Sequence, residues 1–256
     1  MNGLTLYEGP SAIGPDPIVV LASSIGRTSA NMKTGDCVQV YIELRDQHPQ
    51  EARKAGTDVS NCGDCSLKPS LKNPDGECYV PGYMLNQPWS SWKATPQAYP
   101  HGSLQNLPQW KPIRVGAHGD MAAVPNAAVF WLEQLRGHQW LAYTSQWRTQ
   151  RLQALAMASV QSPAEQAQAQ AMGYRTYRRY RGTLELLTRE IECPFPRVQC
   201  RGCLLCNGKG QTDQRKHIAV RDTKEKGLHE RIRRATGVGD GVGARGGART
   251  SAPRVG

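Results

Sequence analysis

Four of the chain's eight cysteines fall within fourteen residues, from Cys193 to Cys206. Cys200, Cys203 and Cys206 recur at every third position, and Cys193 stands seven residues ahead of Cys200. Thiols at successive x2 spacings wrap one chain segment around a compact soft-metal centre. The rest of the chain is expected to act as a scaffold that brings a second cysteine group to the same place. That group is Cys62, Cys65 and Cys78, spaced C-x2-C-x12-C, with no periodicity in the segment 66–77 between them.

Three readings of the late quartet stand side by side: an iron–sulfur cluster, a structural zinc site, and reduced core thiols. The successive x2 spacings favour a [4Fe–4S] cubane, and the run resembles the core of the bacterial ferredoxin ligand set. Zinc more often uses two separated C-x2-C pairs, so Cys62/Cys65 with Cys203/Cys206 is the mixed zinc alternative. Cys62, Cys65 and Cys78 supply three ligands and no obvious fourth. They read as a second, three-cysteine cluster with one open iron. Otherwise they form a metal knuckle pinning the 66–77 loop, with His101 or Cys37 as fourth ligand. Cys37 sits in an apolar run and reads more simply as a buried thiol, since free cysteine behaves as a small hydrophobe.

The chain has 256 residues, 39% of them hydrophobic, enough for a real core. No stretch approaches the roughly 20 apolar residues of a membrane span. The N-terminus has neither a basic n-region nor an h-region, so the expected compartment is the reducing cytoplasm. There, clustered cysteines serve as ligands or redox groups more often than as disulfides. The net charge of +11 is uneven. Residues 207–256 hold 12 Lys or Arg against 5 Asp or Glu, so the tail carries most of the imbalance.

Three divisions are expected: an extension over 1–30, an α/β domain over 31–220, and a basic, largely disordered tail over 221–256. In the extension, only Ile18 to Ala22 reads as a strand. Cys37–Leu44 is a β-branched run bounded by turn residues. A helix over Pro49–Ala55 ends at Gly56. Pro88–Ala94 forms a helical turn or two. Strands follow at Ile113–Ala117, Trp140–Thr144 and Leu155–Val160, with a helix at Ala127–Arg136 and a short basic helix at Arg148–Leu152. Ser162-Pro163-Ala164-Glu165 is a capping box that opens a helix to Met172. Tyr174–Tyr180 alternates as a strand does, and His217–Val220 is one more. Strands and helices in alternation imply right-handed βαβ units and a mostly parallel sheet. The expected fold is a partial or complete (β/α) barrel, with an open doubly wound sheet second.

In either fold, ligands gather at the carboxyl ends of the strands. His118, Asp120 and Gln146 are the candidate catalytic residues there, and Ser159 and Glu192 the candidate cofactor-binding ones. Both cysteine groups follow strand segments, so both are expected at that end. The partner is a small molecule or a nucleic acid. Arg215-Lys216 and Arg231 to Arg234 suit sequence-blind phosphate contact. Tyr174 to Arg181 interleaves aromatics with arginines, which suits single-stranded nucleic acid or else a packed strand with solvated arginines.

Several motifs together resemble a family encoded by tailed phages and prophages. They are Asn31-x-Lys33-Thr34-Gly35-Asp36, Cys62-Gly63-Asp64-Cys65 with Cys78-Tyr79-Val80, and Gly116-Ala117-x-Gly119-Asp120-x-Ala122-Ala123-Val124-Pro125. Tyr143-Thr144-x-Gln146-Trp147, Met157-Ala158-Ser159-Val160 and the late cysteine run complete the set. The resemblance covers about residues 31–220 and implies a host-cell cytoplasmic setting. His118 stands where it implies an aromatic, and Gln161 where it implies an acid. In architecture alone, three early cysteines, a barrel-like run and a late four-cysteine site resemble the radical S-adenosylmethionine enzymes. That likeness implies two [4Fe–4S] clusters, with the open iron at Cys62/Cys65/Cys78 binding S-adenosylmethionine. The usual C-x3-C-x2-C motif of that superfamily is absent here.

Overall fold

The computed structural model describes residues 2–29, 31–69, 76–78, 80, 82–208 and 217–221. Nine strands form one sheet in the order β1-β2-β3-β4-β5-β6-β7-β9-β8. They are β1 (Gly3–Gly9), β2 (Ile18–Ser23), β3 (Val38–Leu44), β4 (Ile113–His118) and β5 (Trp140–Thr144), then β6 (Met157–Val160), β7 (Thr176–Tyr180), β8 (Glu190–Glu192) and β9 (His217–Arg221). The first two pairings are antiparallel and all later ones parallel. The helices are α1 (Pro49–Ala55), α2 (Val59–Cys62), α3 (Gly82–Ala94), α4 (Ala127–Gln134), α5 (Pro163–Ala171) and α6 (Cys200–Cys203).

From β3 to β7, spatial order follows chain order. A doubly wound sheet would reverse direction part-way, and this run does not. With right-handed crossovers, an unreversed run places its connections on one face. The core agrees. Val38, Val40 and Ile42 of β3 pack with Ile113, Val115, Ala142, Ala158 and Val160, beneath Trp131 of α4 and Ala169 of α5. The alternate residues point to the opposite face, termed the inner face because it lies away from α4 and α5. Leu141, Met157 and Ile218 cluster there with Cys37 and Cys206. At one margin of the sheet, Trp92 of α3 packs with Val19 and Leu21 of β2. β1 and β8 stand at the two edges.

Local chemistry accounts for most element ends. Helix α1 begins with Pro49 and stops where Gly56 takes a left-handed conformation. Helix α5 starts as its capping residues predict: the Ser162 hydroxyl accepts from the Glu165 amide, while the Glu165 carboxylate accepts from the amide of Gln161. Three expectations need correction. The extension contains a second strand, β1, and both of its strands belong to the main sheet. Arg148–Leu152 is turns rather than a helix. The helix expected from Pro88 runs from Gly82. The charged and disordered segments expected beyond 221, and residues 70–75 of the 66–77 loop, lie outside the described residues. Among the described residues, no helix is long and apolar enough to cross a membrane.

Candidate metal centres

The late quartet lies against the amino-terminal halves of the inner-face strands. Its segment is strapped down by backbone bonds. The Cys193 amide donates to Ala219 of β9 at 2.7 Å, and the Ala142 amide of β5 donates to the Cys206 carbonyl at 3.0 Å. The single turn α6 docks on the Asn31–Asp36 turn. The Asn31 side-chain oxygen accepts from the amides of Lys33 and Thr34. The carbonyls of those two residues then receive the amides of Cys200 and Arg201, each at 3.0 Å. This is the structural use of the Asn-x-Lys-Thr-Gly-Asp motif: it seats the turn that carries two of the thiols.

All four thiols line one hollow, with Leu141, Val198, Leu204 and Ile218 among its apolar walls. The hollow spans about 290 Å³, its open mouth included. Each of the six thiol pairs is close enough to raise a partner's pKa. Burial, opposed by a hydrogen bond from the Tyr143 hydroxyl, pushes the Cys206 thiol up to about 12, and the other three cysteines add to the rise. Burial also raises Cys200, with Lys33 and Arg114 pulling it back. Burial raises Cys203, against a hydrogen bond from the Leu205 amide. Thiols this buried and this mutually repulsive ionise readily only with a cation among them.

Cys37 is fully buried, as expected, and burial pushes its thiol to about 11. It neighbours Cys200, so it belongs beside the late group and is no fourth ligand to the early one. His101 is exposed and bridges Thr5, away from both groups.

The early group stands at the opposite, carboxyl end of the strands, so the two groups do not converge on one place. Cys62 closes α2, and Cys65 follows on a turn. Burial pushes Cys62 well above its ordinary value, and Asp58, Cys65 and Cys78 push it further. Burial raises Cys65 against a hydrogen bond from the Ser145 hydroxyl, with Cys78 adding to the rise. A reactive thiolate nucleophile needs the reverse environment. Among the described residues, no three His, Cys, Asp or Glu side chains already converge on one point as a bound ion requires. Metal binding at either group would draw thiols inward by rotation about their χ1 bonds.

The candidate catalytic residues do meet here, in different roles. Strand β4 carries a bulge: Val40 faces Val115, but Tyr41 faces His118. Gly116 and Gly119 bracket the irregularity with φ of 73° and 76°, and a side chain at 119 would strike the Ile42 carbonyl. The bulge turns His118 onto the inner face, where its Nδ1 lies 2.8 Å from Glu43 Oε2 and its Nε2 3.9 Å from Cys62 Sγ. Asp120 is buried and fully engaged. It accepts from the Ala122 amide at 3.0 Å, the Thr144 hydroxyl at 2.8 Å and the Ser145 amide at 2.6 Å. It ties the β4 and β5 ends together and holds Ser145 beneath Cys65. Gln146 donates to the Cys62 carbonyl at 3.4 Å and steadies the cysteine loop. Ser159 and Glu192 lie elsewhere: Ser159 pairs in register with Tyr177, and Glu192 accepts from Tyr180.

Sequence reasoning missed Glu43, Asn61, Tyr143 and Ser145. Glu43 is wholly buried in β3, and its Oε1 has no hydrogen-bond partner. Burial raises its pKa, against the neighbouring His118. Asn61 donates to the Ile42 carbonyl at 3.0 Å, while its own side-chain oxygen is unpartnered. Tyr143 of β5 and Ser145 just beyond its end reach Cys206 and Cys65 respectively. That spacing is about 7 Å along an extended chain, so side chains from one short stretch reach both groups. The arginine-rich strand β7 is occupied internally. Arg178 is buried against Glu190, Arg179 pairs with Glu77, and Arg175 donates to the Asn207 carbonyl. No family model, curated protein or solved structure matches this chain.

Proposed function

We propose that this chain is a two-centre metalloprotein on a partial (β/α) barrel. Cys193, Cys200, Cys203 and Cys206 hold a [4Fe–4S] cluster, and Cys62, Cys65 and Cys78 hold a second metal at the carboxyl end of the sheet. The observation that carries the reading is the lining of a single apolar hollow by all four late thiols. Apolar walls suit a cluster, whose potential depends on burial and on hydrogen bonds to sulfur. The Tyr143 hydroxyl and the Leu205 amide supply such bonds to Cys206 and Cys203. The cluster contributes one-electron redox capacity. The chain's own residues bind it, keep water from it, and place Lys33 and Arg114 near Cys200 to offset its charge. The carboxyl end of the sheet is then the place for a small-molecule substrate.

Anaerobically purified protein is expected to be brown, with iron and acid-labile sulfide in equal amounts. Cys203→Ser is expected to bleach it. Colourless protein holding zinc and no sulfide replaces this reading with a zinc-stabilised one. The expected nucleic-acid contact then rests on the basic tail, since the arginines of β7 are engaged within the fold.

A further inference from the structure

The donors around Cys62 point to something more specific than three thiols. We propose that His118 is the fourth ligand of the early centre, that Glu43 orients it, and that the centre is a single tetrahedral ion of the zinc type. This rests on Cys62, Cys65 and Cys78 being metal ligands, as proposed above.

Three observations carry it. First, distance separates a single ion from a cluster. With bonds of about 2.3 Å to sulfur and about 2.05 Å to nitrogen at a tetrahedral angle, two ligands of one zinc ion lie about 3.6 Å apart. Cys62 Sγ and His118 Nε2 are 3.9 Å apart. In a cubane each protein ligand sits on its own iron, so ligand atoms stand much further apart. Second, the imidazole is held as metal-bound histidines are. With Glu43 ionised its carboxylate can only accept, so at the 2.8 Å contact Nδ1–H would donate and leave the Nε2 lone pair towards Cys62. The bulge with Gly116 and Gly119 commits two residues of β4 to that orientation. Third, Glu43 Oε1 and Asn61 Oδ1 are buried beside the site with no hydrogen-bond partner. Unpartnered buried oxygen, ionised on Glu43 and neutral on Asn61, is costly unless positive charge lies near. A divalent ion on Nε2 supplies that charge.

Cys62, Cys65 and Cys78 would release their protons to solvent as the ion binds, and His118 would bind neutral. A filled fourth position leaves no open iron for S-adenosylmethionine. The early centre then holds together the strand ends that frame the substrate position, and redox chemistry falls to the late cluster.

The test is metal analysis of the full chain with chelator competition for zinc. Wild type is expected to hold about one zinc beside the iron of the late cluster. Glu43→Gln should weaken zinc by roughly 10–100-fold, and His118→Ala by more. His118→Cys should restore tight binding through a fourth thiolate. In the cobalt-substituted protein it should also strengthen the sulfur-to-metal absorption. Retained brown colour reports that each variant still folds. If Cys62→Ser loses the ion while His118→Ala keeps wild-type affinity, the three-thiol centre stands and the histidine inference falls. A second iron–sulfur cluster at the early group overturns the single-ion assignment alone. Wild type with no metal at the early group overturns both.

Discussion

The two cysteine groups sit on one face of one sheet, yet they are built in opposite ways. The late group draws all four thiols from one short segment and surrounds them with Leu141, Val198, Leu204 and Ile218. Its polar help is sparse: one tyrosine hydroxyl, one backbone amide, and two cations near Cys200. The early thiols stand at the end of α2 and on the segments after it, and His118, 56 residues beyond Cys62, lies beside them. Around it stand Asp58, Asn61, Glu43, Asp120 and Ser145, most of them buried. An apolar shell suits a group whose charge is delocalised over many atoms. A polar shell with an oriented imidazole suits a compact divalent ion. The contrast teaches that cysteine count alone does not define a centre; the second layer of residues does.

The sharpest way to break the contrast is Cys203→Ser. It should abolish visible absorption and iron while leaving the early ion in place, measured by absorption and elemental analysis. Loss of both metals together would mean the groups are one cooperative site. Next comes Asp120→Ala, which leaves the Thr144 hydroxyl and the Ser145 amide without their acceptor. Breaking a buried charged network costs about 3–5 kcal/mol, read by denaturant unfolding, and early-site zinc should weaken with it. Asp120→Asn should cost less, because it keeps one acceptor oxygen.

A smaller effect comes from pH. Cys37 and Cys206 ionise near 11 and 12 when folded, against 9.0 for the ordinary thiol. Folding therefore favours their protonated forms. That contribution is complete below pH 9 and is lost as pH rises through about 11 for Cys37 and about 12 for Cys206. The metal-free protein should melt several degrees lower at the alkaline end, by calorimetry. Loaded protein should resist, since the metal takes the thiolate of Cys206. Tyr143→Phe, which removes one O–H···S bond, should lower the cluster's reduction potential and cost about 1 kcal/mol. Ser162→Ala, remote from both centres, should cost about 1 kcal/mol through its lost cap and move neither metal. It is the control for the comparison.

Much of the scaffold could be read from local chemistry. The β-branched run before Leu44, the Gly56 stop and the Ser162 cap each act within a few residues, so pattern reading finds them. β1 escaped because Gly3–Gly9 has little to mark it alone; it becomes a strand by pairing with β2. That His118 lies beside Cys62 escaped for the same kind of reason. His101 and Cys37 were reasonable by residue type, but neither lies beside Cys62. Glu43 looks like a solvent-facing strand residue until β4 is laid alongside.

The amino-acid sequence alone determined the late quartet, because four thiols within one short segment meet by local chain geometry. It determined the order of strands and helices too, since periodicity and caps are local properties. Only the tertiary structure decided which end of the sheet each cysteine group occupies. It also decided that His118, Glu43 and Cys62 are neighbours. Those outcomes depend on parallel register and on a bulge between β3 and β4, where residues far apart in the chain come face to face through packing that no single segment encodes.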